Sequence, residues 1–137
     1  MKKIKSLLIL IVLLSFSTVS FAQSNASDKT DTSESKDVVS VYYFHVERRC
    51  LTCKTVESVS KAAVAELYNG SVNYKVFNLD GDRGKEMAKK LKIAGQSLVI
   101  VQGETKIDIT TESFRHAKND PDRVKALIKE KTDPLLK

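Results

Sequence analysis

Apolar and polar positions fall into short blocks along this chain, and the period within each block predicts an element. Val38 to Val46 (VVSVYYFHV) is β-branched and aromatic with almost no polar break, the pattern of a central strand buried on both faces. From about Thr52 to Tyr68 the period changes: Val56, Val59, Ala63 and Leu67 share one helical face, and Asn69-Gly70 supplies a stop. Val72 to Leu79 returns to strand character. Asp80 to Gly84 reads as a polar turn, and Lys85 to Lys92 as a short helix with Met87, Ala88 and Leu91 on its inner side. Leu98 to Val101 is another buried strand, Gly103-Glu104 a hairpin turn, and Lys106 to Thr110 its partner strand. Residues 111–118 fit either a loop or one helical turn around Phe114. Asn119-Asp120-Pro121 starts a last helix, with a capping side chain followed by proline at the first helical position. Val124, Leu127 and Ile128 form its inner face, and it should end near Asp133-Pro134. The order β-α-β-α-β-β-α predicts an α/β domain over residues 38–137, a small mixed sheet with helices on both faces.

The chain before Val38 has a different character. Lys2, Lys3 and Lys5 precede an apolar run from Leu7 to Val19, and Ser20-Phe21-Ala22 places small residues where signal peptidase requires them. Residues 1–22 therefore read as a signal peptide, and the expected location is periplasmic or secreted, with no membrane span after cleavage. The competing reading is a retained anchor, but the aliphatic core Leu7 to Leu14 is short against the roughly 20 residues a span needs. Residues 23–37 (QSNASDKTDTSESKD) have one alanine as their only apolar side chain and read as a disordered tether. The formal charge of +6 includes the three lysines of the leading segment; without them 20 basic and 17 acidic groups remain, or +3. Both signs are interspersed, an ordinary solvated surface with no stripe for nucleic acid.

The only two cysteines, Cys50 and Cys53, lie in FHVERRCLTCKTVE, where the first strand hands over to the first helix. A bridge across so short a loop constrains the unfolded chain little, so the spacing favours chemistry over stapling. The first turn of a helix offers unpaired N–H groups and the positive end of the macrodipole, which stabilise a thiolate at Cys50. Arg48 and Arg49 add positive charge, and Thr52 is placed to donate a hydrogen bond to the Cys50 sulfur. Cys53 falls one turn deeper, placed to attack a mixed disulfide formed at Cys50. Cys50 is the predicted nucleophile and Cys53 the resolving thiol. No cofactor beyond the pair is required. The expected partners are protein or small-molecule thiols and disulfides, with a membrane-linked electron donor if the protein works as a reductase.

A hydrophobic strand, CxxC at a helix start and then βαββα resembles the thioredoxin-like pattern over roughly residues 38–131. The stretch FNLDGDRGKEMAKKLKIAGQSLVIVQGE is similar to the thioredoxin segment from its second strand through the hairpin. The motif VYYFHVERRCLTCKTVE more narrowly resembles exported bacterial proteins of the ArsF-type nitrophenyl compound nitroreductase subunit family, which implies an accessory role in a redox system. Two departures stand out. Leu51-Thr52 replaces the Gly-Pro of thioredoxin with no tryptophan before it, and Ser97, within Gly95-Gln96-Ser97, stands where thioredoxins carry a cis-proline. The resemblance implies a substrate-docking loop at Gln96 and Ser97, with a trans bond before Ser97.

Other chemistries compete with this one. A CxxC at a loop–helix junction chelates soft ions such as Cu(I), the alternative reading, whereas structural zinc needs about four ligands and only His45 and His116 remain as nitrogen donors. His45 also fits a packed strand histidine and His116 a surface one. Tyr42 and Tyr43 read as core and sheet-face aromatics. Asp80-Gly81-Asp82 fails as a calcium loop because Gly84 and Leu91 stand where later acidic ligands belong, and GDRGK is too short for a phosphate-binding loop.

Overall fold

The computed structural model describes residues 37–137. The expected signal segment and nearly all of the tether lie outside the described residues. The central strand β1 spans Ser40–His45, and all six of its residues are buried. It lies between β2 (Asn73–Asn78) and β3 (Ser97–Gln102), and β4 (Thr105–Asp108) completes the order β2-β1-β3-β4. β2 runs parallel to β1, with Phe44 beside Phe77, so the chain must cross over between them. Helix α1 (Leu51–Tyr68) makes that crossover. β3 is antiparallel to β1, with Tyr42 beside Val99, and β4 is antiparallel to β3.

Two-residue alternation along β1 sends its side chains to two separate cores. Val41 and Tyr43 pack with Val56, Ala63 and Val64 of α1 and with Val124, Leu127 and Ile128 of α4 (Pro121–Thr132). Tyr42 and Phe44 pack on the opposite face with Phe77, Val99 and Ala88 of α2 (Asp82–Leu91). Phe44 and Phe77 stack at 5.1 Å between ring centres, and Tyr42 meets Phe77 edge-on at 5.2 Å. Each such side chain, buried in full, contributes about 1.5–3 kcal/mol over leaving it in water. This explains why the strand carries no polar alternation.

Local chemistry ends the elements where the sequence placed signals. Asn69 closes α1 in the left-handed conformation (φ 44°), donating its N–H to the Ala65 carbonyl at 3.1 Å. The Asp120 carboxylate caps α4 by accepting from the Arg123 N–H at 3.1 Å, with Pro121 in the first turn. Gly103 (φ 56°) opens the two-residue hairpin turn.

Two local expectations are corrected, and one open segment is settled. Helix α2 begins at Asp82, inside the stretch read as a polar turn. Gly84 belongs to its first turn because that turn crosses β2 so closely that an added Cβ would lie 1.8 Å from the Asn78 carbonyl oxygen. β4 stops at Asp108 rather than Thr110. The Asp108 carboxylate accepts the Thr110 N–H at 2.9 Å, and the Thr110 hydroxyl accepts the Leu98 N–H at 3.0 Å, which turns the chain into a further helix. That helix, α3 (Thr110–His116), settles the ambiguous segment, and Phe114 packs against the first core. The last helix ends at Thr132 and tightens into a 3-10 turn over Asp133–Leu136.

Candidate functional site

The site forms where β1 ends. After His45 the chain leaves the sheet through the loop Val46 to Arg49, exposed at Glu47 and Arg48, and reaches Cys50, the N-cap of α1. That loop is fastened to the turn after β2. The Glu47 N–H donates to Asp80 Oδ2 at 2.6 Å, Asn78 Nδ2 donates to Glu47 Oε2 at 2.6 Å, and the Leu79 N–H donates to the His45 carbonyl at 2.7 Å. The loop that leads to Cys50 is therefore held by residues more than thirty positions away.

Cys50 is exposed and Cys53 is 3% exposed, and both are free thiols. The Cys50 sulfur accepts the Cys53 N–H at 3.3 Å, the geometry of an N-cap in which sulfur takes the usual oxygen's place. Hydrogen bonding to the Cys53 thiol and then to its backbone N–H lowers the Cys50 pKa, with the Thr52 amide adding to the effect. Burial, followed by the hydrogen bond to Cys50, raises that of Cys53. The two sulfurs are chemically unequal. Leu51, the residue after Cys50, is 70% exposed.

The remaining predicted residues are placed as follows. Arg48 is exposed. Arg49 is half-buried and paired with the Glu57 carboxylate. Thr52 is half-buried in the first turn of α1, and its amide contributes to lowering the Cys50 pKa. Ser97 is the first residue of β3, opposite Phe44 at the end of β1 from which the cysteine loop departs. Its hydroxyl donates to the Gly95 carbonyl at 2.9 Å, and every peptide bond among the described residues is trans. The Gln96 Oε1 is buried without a hydrogen-bond partner among the described residues. His45 is buried, with Nδ1 2.9 Å from the Val46 carbonyl, which occupies that nitrogen as a donor. His116, half-buried, faces Glu112 at 3.5 Å on α3. Among the described residues no three His, Cys, Asp or Glu side chains converge in a metal-binding group. No helix among them is long and apolar enough to cross a membrane.

Solved structures of thioredoxins share the fold of the described residues. Thioredoxin O2 from Arabidopsis thaliana, in its oxidised state, superposes with a TM-score of 0.51 at 20% identity, over 69% of this chain and 75% of that one. Thioredoxin f2 from Chlamydomonas reinhardtii superposes with a TM-score of 0.51 at 22% identity, over 74% and 85%. The fold is thioredoxin-like. No family model matches the chain, and no curated protein matches it.

Sequence reasoning missed two contributors to the site. Tyr43, read as a core aromatic, buries its ring and also donates its hydroxyl to the Cys53 carbonyl at 2.8 Å. A tyrosine in a buried strand needs a partner for its hydroxyl, which was the available signal, but nothing local says that the partner lies in the cysteine turn. Glu57 lies one turn beyond Cys53 and carries the pair with Arg49, while its backbone carbonyl accepts from the Tyr74 hydroxyl of β2 at 3.2 Å. Burial raises the pKa of both tyrosines above the usual phenol range, so both hydroxyls stay protonated as donors.

Proposed function

We propose that this chain is an exported thiol–disulfide exchange protein with Cys50 as nucleophile and Cys53 as resolving thiol. The observation that carries the reading is the inequality of the pair: an exposed sulfur held by a helix N-terminus, and a buried sulfur one turn inside. In the reducing direction the Cys50 thiolate attacks one sulfur of a partner disulfide, whose S–S bond breaks, and the partner's other sulfur leaves as a thiolate and takes a proton. Cys53 then loses its proton and attacks the Cys50 sulfur, expelling the second partner thiol. The partner gains two electrons, and Cys50 and Cys53 become a disulfide. The reverse sequence oxidises a dithiol partner. The leading segment, residues 1–22, supports export to the periplasm or beyond, where a membrane-linked donor would reset a reductase. The YYFH…RRCxTC motif supports a narrower role as an accessory subunit of an ArsF-type redox system.

Two measurements test the reading. Equilibration in glutathione buffers should give a reversible two-electron transition; a pair that cannot be oxidised reversibly sinks exchange chemistry. Cys53→Ser leaves Cys50 able to attack and removes the resolving thiol, so mixed disulfides with protein partners should accumulate.

The pair also supports a second reading, a two-thiolate site for Cu(I), because a soft ion accepts two sulfur donors where zinc needs more. Titrating the reduced protein with Cu(I) against a competing chelator separates the two. Stoichiometric binding lost in Cys50→Ser, without reversible oxidation, would favour metal handling.

A further inference from the structure

Two arginines, Arg48 and Arg49, directly precede the nucleophile. The structure treats them differently. Arg48 is exposed, whereas the Arg49 guanidinium is taken by Glu57, with side-chain exposures of only 29% and 25%. A pair this shielded keeps much of its attraction, unlike an ion pair in open solvent. Glu57 is also held in place from the sheet. Tyr74 of β2 donates to the Glu57 carbonyl at 3.2 Å, and Tyr43 of β1 donates to the Cys53 carbonyl at 2.8 Å, so two neighbouring strands grip two successive turns of α1.

The titratable groups around this corner are Tyr43 and, 6.0 Å from its ring, His45 from β1, then Glu47, Arg48 and Arg49 from the loop, Cys50, Cys53, Lys54 and Glu57 around the helix start, and Tyr74 from β2. Arg48 and Lys54 are exposed and screened by salt. The Arg49–Glu57 pair is neutral as a unit. Burial first, and then the charges of Cys53 and Glu57, push the Tyr43 pKa up, while Arg49 lowers it.

We propose that Glu57 is a positioning residue for Arg49, withholding that guanidinium from Cys50 and so biasing the cysteine pair toward the reducing direction. The inference rests on the exchange reading and adds a direction to it. The negative end of the reduced pair is the Cys50 thiolate, so a free positive charge beside it stabilises the reduced form and makes the disulfide a stronger oxidant. With Arg49 neutralised, that stabilisation is reduced.

The test compares the full mature chain with Glu57→Gln, Arg49→Gln and the double variant, each checked for native circular dichroism. Two quantities are read: the glutathione redox equilibrium, and the pH dependence of iodoacetamide reaction at Cys50 in the reduced protein. Glu57→Gln should shift the redox equilibrium roughly threefold or more toward the dithiol and lower the apparent Cys50 pKa, because a shielded guanidinium has lost its carboxylate. Arg49→Gln should move both readouts the opposite way, since it leaves the carboxylate unpaired. The double variant should return close to the wild type. Glu57→Asp, with a shorter reach, should shift in the same direction as Gln by less, and serves if Gln perturbs folding. No shift in Glu57→Gln and Glu57→Asp, or shifts in the same direction as Arg49→Gln, would overturn the proposal. Failure of the wild-type pair to oxidise reversibly would instead overturn the exchange reading, and the alkylation profiles would still report whether Glu57 withholds Arg49.

Discussion

The hydroxyl of Tyr43, from the middle of the sheet, donates to the carbonyl of Cys53 at 2.8 Å. It ties the buried cysteine's turn directly to the central strand. Tyr43→Phe keeps the ring and its packing and removes only the hydroxyl. The expected cost is about 0.5–1.5 kcal/mol, read as a lower urea midpoint with an unchanged slope. Because the bond holds the turn that carries both sulfurs, the rate of Cys50 alkylation should change as well. A loss of stability with thiol reactivity untouched would make Tyr43 an ordinary core residue.

The two thiols should differ in reactivity. Alkylation of the reduced protein near neutral pH is expected to modify Cys50 first, with an apparent pKa below the unperturbed value of about 8.5. The lowering comes first from hydrogen bonding to Cys53, so Cys53→Ala, which removes the thiol donor, should raise it. Cys53 should react slowly until the protein unfolds, because burial opposes its thiolate. Equal rates at the two positions would contradict this account.

Gly84→Ala sets two effects against each other. Alanine favours a helix over glycine by about 1 kcal/mol. Here the new Cβ would meet the Asn78 carbonyl oxygen at 1.8 Å and its carbon at 2.4 Å, and these are backbone atoms that cannot rotate away. Overpacking of this kind costs about 1–3 kcal/mol or more, so the variant should be destabilised, as a denaturation midpoint would show. Asn78 also holds the cysteine loop through Glu47, so the Cys50 alkylation rate should move in the same variant. A stabilised Gly84→Ala protein would mean that α2 can lift from β2 at little cost.

Asp133 gives a pH prediction. Its carboxyl is held below the usual range first by the hydrogen bond from Lys129 and then by the one from Tyr68, at 2.9 Å. A carboxyl whose folded pKa is depressed contributes stability above its unfolded value of about 3.9, and that contribution is lost as pH falls through the folded value. Asp133→Asn should therefore be less stable than the wild type at neutral pH, with the gap closing below about pH 4. Tyr68 behaves oppositely at the alkaline end. Burial, then the bond to Asp133, pushes its pKa up to about 12, so its contribution is present below about pH 10 and fades as pH approaches the higher value. A constant gap between wild type and Asp133→Asn from pH 7 to pH 2 would remove this account.

Local patterns determined much of this protein from the sequence alone. The unbroken apolar run of β1, the helical spacing of Val56 and Ala63, the Asn69-Gly70 stop and the Asp120-Pro121 start are all effects of backbone preference and burial within a few residues. So is the placement of Cys50 at the start of α1, where its sulfur caps the helix, and with it the inequality of the two thiols. Tertiary structure alone decided which distant groups finish the site. The Glu47 amide finds Asp80 thirty-three residues on, Tyr43 finds Cys53 across the strand–helix corner, and Arg49 pairs with Glu57 two turns into the helix. Gly84 looked like part of a turn because glycine favours turns, yet it serves a helix that must cross β2 at backbone contact. These pairings depend on how strands and helices pack, a geometry set by the whole core, so no window of local sequence contains them.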